Sequence, residues 1–174
     1  MNTIDRLTDE QTYLTLVNRS IDEFTDDEIT YIGTAAFYGC SNLSVIDCPQ
    51  VTSIGSFAFG YCSKLSSVDF SNTTVVETGA FQECASLSTI NLPKITSISE
   101  SMVAGCTSLE LLNLSENVTI IGSAAFERCS NLTTLSFANV TVIGAEAFKE
   151  CTMLSNISFP NVVSIGYSAF YSCY

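Results

Sequence analysis

The chain has 174 residues, 47% of them hydrophobic and only 14% charged, with a formal net charge of −12 and no histidine. No run of about 18 apolar residues occurs, so no membrane-spanning helix is written into it. The acidic balance excludes nucleic acid, whose phosphates need a basic patch, and electrostatic docking on anionic lipid. The absence of histidine removes His-based triads and dyads and His-ligated metal sites.

Eight of the 18 acidic residues precede residue 29: Asp5, Asp9, Glu10, Asp22, Glu23, Asp26, Asp27 and Glu28. They read as the solvated surface of an N-terminal cap. The first ten residues carry no basic segment and no apolar stretch, so they do not form a secretory signal. Thr8 with Gln11 has the form of a capping box and predicts a helix over residues 9–18, with Tyr13, Leu14 and Val17 on one face. Ile21, Phe24, Ile29 and Ile32 match Leu43, Ile46, Val51 and Ile54, each 22 residues later. Residues 21–31 therefore read as half of a degenerate coil, and residues 1–31 as a cap preceding a solenoid over 32–174.

From Ile32 onward the sequence repeats. Phe37, Phe59, Phe81, Phe126, Phe148 and Phe170 fall at one point of the repeat. Cys40, Cys62, Cys84, Cys106, Cys129, Cys151 and Cys173 fall at another, with spacings of 22, 22, 22, 23, 22 and 22. A fixed period of this length predicts a solenoid of stacked coils, about seven of them with the last incomplete. Each coil reads I-G-x-x-A-F-x-x-C-x-x-L-x-x-[IV]-x-[LF]. The L-x-x-I-x-L part (Leu65, Val68, Phe70) predicts a short strand, and stacking turns these strands into a parallel sheet about 4.8 Å apart. Val51 and Ile54 mark a second short strand. The A-F-x-x-C part has helical spacing but is short, which predicts a single helical or 3₁₀ turn. The result is an α/β repeat solenoid.

Individual columns refine this. The alanine before each Phe predicts two walls in close approach. In the fourth coil Met102 and Val103 replace Ala and Phe, roughly conserving volume. The glycine column reads Gly33, Gly55, Glu77, Ser99, Gly122, Gly144, Gly166. Glu77 in it argues that the position serves close approach or turn freedom, not positive φ. The extra residue of the 23-residue coil lies between Leu114 and Val118 and predicts a small bulge in the loop after that strand. The last half coil carries Tyr167, Phe170, Tyr171 and Tyr174, an apolar end suited to end-to-end contact with another chain or more of the same array.

No C-x-x-C pair occurs, so the cysteine column reads as free buried thiols, with disulfide or metal as alternatives. Cys48 lies in the column of Phe70, Leu92, Leu114, Phe137 and Phe159 and reads as core. Asp47 and Asp69 are the one carboxylate pair that stacking could bring together, but nothing marks a cleft around them. No catalytic residue, metal or cofactor is expected. The candidate binding face is the outward side of the longer strands. One column there is Asp47, Asp69, Asn91, Asn113, Ser136, Ser158. The other is Val45, Ser67, Thr89, Leu111, Thr134, Asn156. This small, mostly uncharged polar surface could engage a protein or glycan through many hydrogen bonds, or simply solvate the sheet. It lacks the Trp, Tyr and Arg that dominate interface hot spots. Eight N-x-[ST] sequences occur, as a Ser/Thr-rich repeat produces by composition.

The combined unit I-G-x-x-A-F-x-x-C-x-x-L-x-x-I-x-L-P-x-x-V resembles the BspA-type leucine-rich repeat. Residues 54–75 and 143–164 match it nearly throughout, and Pro49, Pro93 and Pro160 match its proline. The resemblance implies a right-handed superhelix with the parallel sheet on its concave side and the short turns on the convex side. It also implies a non-enzymatic adhesion or binding protein of bacterial, protozoan or phage origin, located at a cell surface, outside the cell or on a virion. Without a signal sequence the cytoplasm stays open. The partner so implied is a protein of a cell surface or matrix; the polar strand face leaves a glycan open beside it, and the apolar C-terminal end leaves self-association as the alternative. Met102 with Val103, Glu77 and Ser99 depart from the family pattern in coils three and four.

Overall fold

The computed structural model describes residues 21–173. The helix expected over residues 9–18 and the contact residue Tyr174 lie outside the described residues. Two strand columns alternate along the chain. The longer strands are β1 (Glu23–Thr25), β3 (Val45–Asp47), β5 (Ser67–Asp69), β7 (Thr89–Leu92), β9 (Leu111–Leu114), β11 (Thr134–Ser136) and β13 (Asn156–Ser158). The two-residue strands are β2 (Tyr31–Ile32), β4 (Ser53–Ile54), β6 (Val75–Val76), β8 (Ser97–Ile98), β10 (Ile120–Ile121), β12 (Val142–Ile143) and β14 (Ser164–Ile165). All pairings are parallel and one repeat apart, as with Glu23↔Val45 and Ile54↔Val76. The fold is a parallel β-solenoid of about six turns; the expectation of about seven counted an incomplete one.

No helix occurs among the described residues, which corrects the α/β assignment. The A-F-x-x-C segment is a run of β-turns, and the backbone shows why. In the second coil Ala58 N–H donates to Gly55 O and Gly60 N–H to Phe57 O, each three residues back. The alternate groups leave the segment: Phe57, Phe59 and Tyr61 N–H donate to Thr78, Ala80 and Gln82 O of the next coil. A helix would keep all these donors to itself. Two residues per coil also carry positive φ, which a helix does not admit. One column is Ala35, Phe57, Gly79, Ser101, Ala124, Glu146, Ser168, with φ from 51 to 63°. The other, just before Cys, is Gly39, Tyr61, Glu83, Gly105, Arg128, Glu150, Ser172, with φ from 59 to 76°.

The core runs the length of the stack. Phe37, Phe59 and Phe81 stack with ring centroids 5.2 and 5.3 Å apart, and Phe126, Phe148 and Phe170 with 5.2 Å at both steps. Val103 interrupts this file, with Met102 buried beside it. None of the eight cysteines forms a disulfide. From Cys62 onward each column thiol donates to a backbone carbonyl of the preceding coil, as Cys84 Sγ does to Phe59 O at 3.0 Å. Such a bond satisfies the thiol and points the sulfurs the same way. Burial pushes the Cys48 and Cys151 thiols up to about 12.

The glycine column does serve close approach. A Cβ built on Gly55, Gly122, Gly144 or Gly166 would meet backbone of the preceding coil at 2.6, 2.6, 2.4 and 2.3 Å, and none of them has positive φ. Glu77 and Ser99 stand where the short-strand ladder is broken, between β6 and β8. Their side chains bridge coils instead: Glu77 Oε2 accepts from Ser56 N–H at 3.0 Å, and Ser99 Oγ donates to Glu77 O at 2.9 Å.

Candidate functional site

The long strands have room for one inward residue between two outward ones, because successive side chains alternate faces. In β3 and β5 the pattern is exposed–buried–exposed, with Ile46 and Val68 in the core. The structure accordingly places both outward columns on one face. Asp47, Ser67, Asp69, Asn113, Thr134, Ser136, Asn156 and Ser158 are exposed, and Thr89 and Asn91 half-buried. Val45 and Leu111 lie on the same face, Leu111 at 65% exposure.

Three of these residues form a side-chain ladder. Asn91 Nδ2 donates to Asp69 Oδ1 at 2.7 Å, and Asn113 Nδ2 donates to Asn91 Oδ1. In-register stacking (Asp69↔Asn91 and Asn91↔Asn113) is what lines the amides up. Asp47 stays outside this ladder, because β3 and β5 do not pair. The hydroxyls that edge the face bond to backbone one coil back, as Ser88 Oγ does to Ser66 O at 3.1 Å.

The face is divided by a second break, between β9 and β11. A groove of about 530 Å³ opens there. Leu112, Leu114, Leu135 and Phe137 form its apolar side, Glu110, Leu111, Glu116, Thr134 and Ser136 its exposed side, and Ser115 is buried in its wall. The groove coincides with the 23-residue coil. β9 pairs with β7 at a spacing of 22, but β10 pairs with β8 at 23, so the extra residue lies between them. Ser115 takes the turn position, its C=O accepting from Val118 N–H at 3.3 Å and its Oγ from Asn117 N–H at 3.1 Å. Sequence reasoning located the extra residue and expected a bulge confined to the loop. In the structure the following strand, β11, does not pair with β9. Glu110, Leu112, Leu114, Ser115, Glu116 and Phe137 were therefore not among the expected site residues; the single 23 in a series of 22s was the signal that pointed to them.

The expected end-to-end residues sit in the last described coil. Tyr167 and Tyr171 are 73% and 61% exposed, while Phe170 is half-buried against Phe148. Val163 and Ile165 add to this apolar end at 83% and 58% exposure. Among the described residues no group of three His, Cys, Asp or Glu gathers as a metal site, and no helix is long and apolar enough to cross a membrane.

The profile of the BspA type Leucine rich repeat region matches in six copies, over residues 17–133 and 52–174. No curated protein matches significantly. Solved structures do. A leucine rich cell surface protein of Faecalibacterium prausnitzii A2-165 is 35% identical with a TM-score of 0.70, over 78% of this chain and 38% of its own. The leucine rich repeat protein of T. pallidum is 28% identical with a TM-score of 0.80, over 88% of this chain and 77% of its own. A leucine-rich repeat protein of Eubacterium ventriosum is 25% identical with a TM-score of 0.73, over 88% of this chain and 43% of its own. The chain thus spans well under half of the Faecalibacterium protein.

Proposed function

Because the chain belongs to the BspA-type leucine-rich repeat family, we propose that it is a non-enzymatic binding module that recognises a cell-surface or matrix protein, or a glycan, through its long-strand face. In this reading the superhelix is right-handed, as parallel crossover connections are, with the long-strand sheet on the concave side and residues 1–31 as its cap. The observation that carries the reading is the ladder Asp69, Asn91, Asn113 on the outward face of the sheet, with Asp69 and Asn113 exposed. Preorganised donors and acceptors reduce the ordering cost of association. The description of the Faecalibacterium relative as a cell surface protein supports an exposed location.

The test is binding of labelled protein to bacterial cells, host cells and matrix proteins. Saturable binding is expected with the parent chain. The Asn91→Arg, Asn113→Arg double variant, which places two bulky cations on the ladder, should lose at least about tenfold in affinity with its circular dichroism unchanged. Parent-level binding by the double variant removes the long-strand face from the reading.

A second reading is favoured by the exposed apolar end coil, Val163, Ile165, Tyr167 and Tyr171. Here the module docks end-on into a larger assembly, a long surface protein or a phage particle, or onto a second copy of itself. Light scattering separates the readings: growth of mass with concentration, abolished by Val163→Glu with Tyr167→Glu, favours the second, and a monomer at all concentrations counts against self-stacking.

A further inference from the structure

The groove between β9 and β11 narrows the binding reading, on which this inference rests, to one place and one kind of ligand. Where the long strands pair, N–H groups at the strand ends donate to the next coil: Phe70 to Asn91 O at 3.0 Å, Phe137 to Ser158 O at 3.1 Å. Among the described residues no backbone hydrogen bond joins residues 110–115 to residues 133–137. The same two coils remain paired on the short-strand side, where β10 meets β12. They are also joined through their turns, where Val103, Ala124 and their equivalents donate forward. The opening is therefore a fixed wedge on one side of the solenoid. Its volume of about 530 Å³ falls within the range of ligand-holding clefts.

We propose that this wedge receives an extended, lysine- or arginine-bearing segment of a partner protein, which bonds to the strand edges that β9 and β11 leave unpaired. Three features select that occupant. Facing strand edges offer the N–H and C=O rows that recognise an extended backbone. Leu112, Leu114 and Phe137 give an apolar floor for every second side chain of the segment. Glu110 and Glu116 are exposed at the rim, in no ion pair among the described residues, and no lysine or arginine lines the groove. A glycan is the poorer fit, because no Trp or Tyr lines the groove to stack on a sugar ring.

The test uses the whole chain and a fluorescein-labelled hexapeptide of alternating valine and lysine, read by anisotropy at low and moderate salt. Expected are saturable binding, a loss of about tenfold or more for the Glu110→Gln, Glu116→Gln double variant, and loss of binding when the peptide backbone is N-methylated. Deleting Glu116 restores the 22-residue spacing, should close the wedge, and should abolish binding while thermal stability holds or rises. The double variant leaves the backbone untouched, so it reports even where the deletion misfolds. Equal binding by the N-methylated peptide, an undiminished signal in the double variant, or no binding by the parent chain overturns the proposal, as does saturable binding of a neutral oligosaccharide probe that the peptide does not displace. A natural partner that is lost on Asn91→Arg with Asn113→Arg, yet binds the Glu116 deletion at full strength, overturns this inference and leaves the binding face standing.

Discussion

At the scale of single residues, the positive-φ columns are where this backbone holds strain. A left-handed conformation costs an L-residue roughly 1–2 kcal/mol, and most members of both columns are not glycine. Ala124, with φ of 51°, sits between buried Ala125 and the next coil without a side chain that the core needs. Ala124→Gly should stabilise by about 0.5–1 kcal/mol once the extra entropy of glycine in the unfolded chain is set against the relief. Ala124→Val should destabilise by more than about 1 kcal/mol. Urea unfolding of the two variants checks both signs. The thiols give a second residue-scale prediction. Native protein should react with a thiol reagent first at half-buried Cys173, and the seven buried cysteines should follow only on unfolding. Burial raises the folded Cys48 and Cys151 thiols above the ordinary 9.0, to about 12. Their contribution to stability is thus fully present below pH 9, and declines from there toward about 12 because the unfolded chain deprotonates first. A stability profile flat from pH 7 to 9 and falling above it is the expected outcome.

At the scale of elements, the short strands hold together only because coils approach closely at the glycine column. Gly144→Ala places a methyl 2.4 Å from Ser123 N, against backbone that has no rotamer to yield. It should cost about 1–3 kcal/mol, measured as a drop in unfolding midpoint. Glu77 and Ser99 show the alternative: a side chain is accepted where the ladder opens and hydrogen bonds from that side chain replace it. The phenylalanine file works by a different principle. Phe126 is fully buried and stacked on Phe148, so Phe126→Ala should cost about 3–5 kcal/mol as a large-to-small change in a packed column. A cost below about 1 kcal/mol would place that column in water.

For the molecule as a whole, the breaks are staggered. The long-strand ladder is interrupted between β3 and β5 and between β9 and β11, the short-strand ladder between β6 and β8, and the aromatic file at Val103. The turns supply the ladder that never breaks, since three N–H groups per coil donate forward at every step from Ala35 to Glu150. No single interface loses all its bonds at once. Nearest-neighbour coupling is therefore sustained from end to end, and thermal unfolding should be one cooperative transition with equal calorimetric and van't Hoff enthalpies. Two separated transitions would mean that the wedge divides the stack into independent halves.

Period and composition by themselves determined that this is a stacked repeat, which residues face its core, and which two columns lie outward on the long strands. That follows because a solenoid's contacts are between equivalent positions one repeat apart, so a linear register such as Asp69, Asn91, Asn113 is already a spatial one. The alternation of local turns with forward hydrogen bonds was not legible, since helical spacing in A-F-x-x-C is compatible with either arrangement and only the neighbouring coil's carbonyls decide. The positive-φ columns were hidden for the same reason: stacking imposes that conformation on residues such as Phe57 and Glu146, whose own preferences oppose it. The wedge depended on both levels. An extra residue was visible in the spacing, but whether the loop would absorb it or the strands β9 and β11 would separate was settled by β10 and β12 staying paired, which left the long-strand side as the place to open.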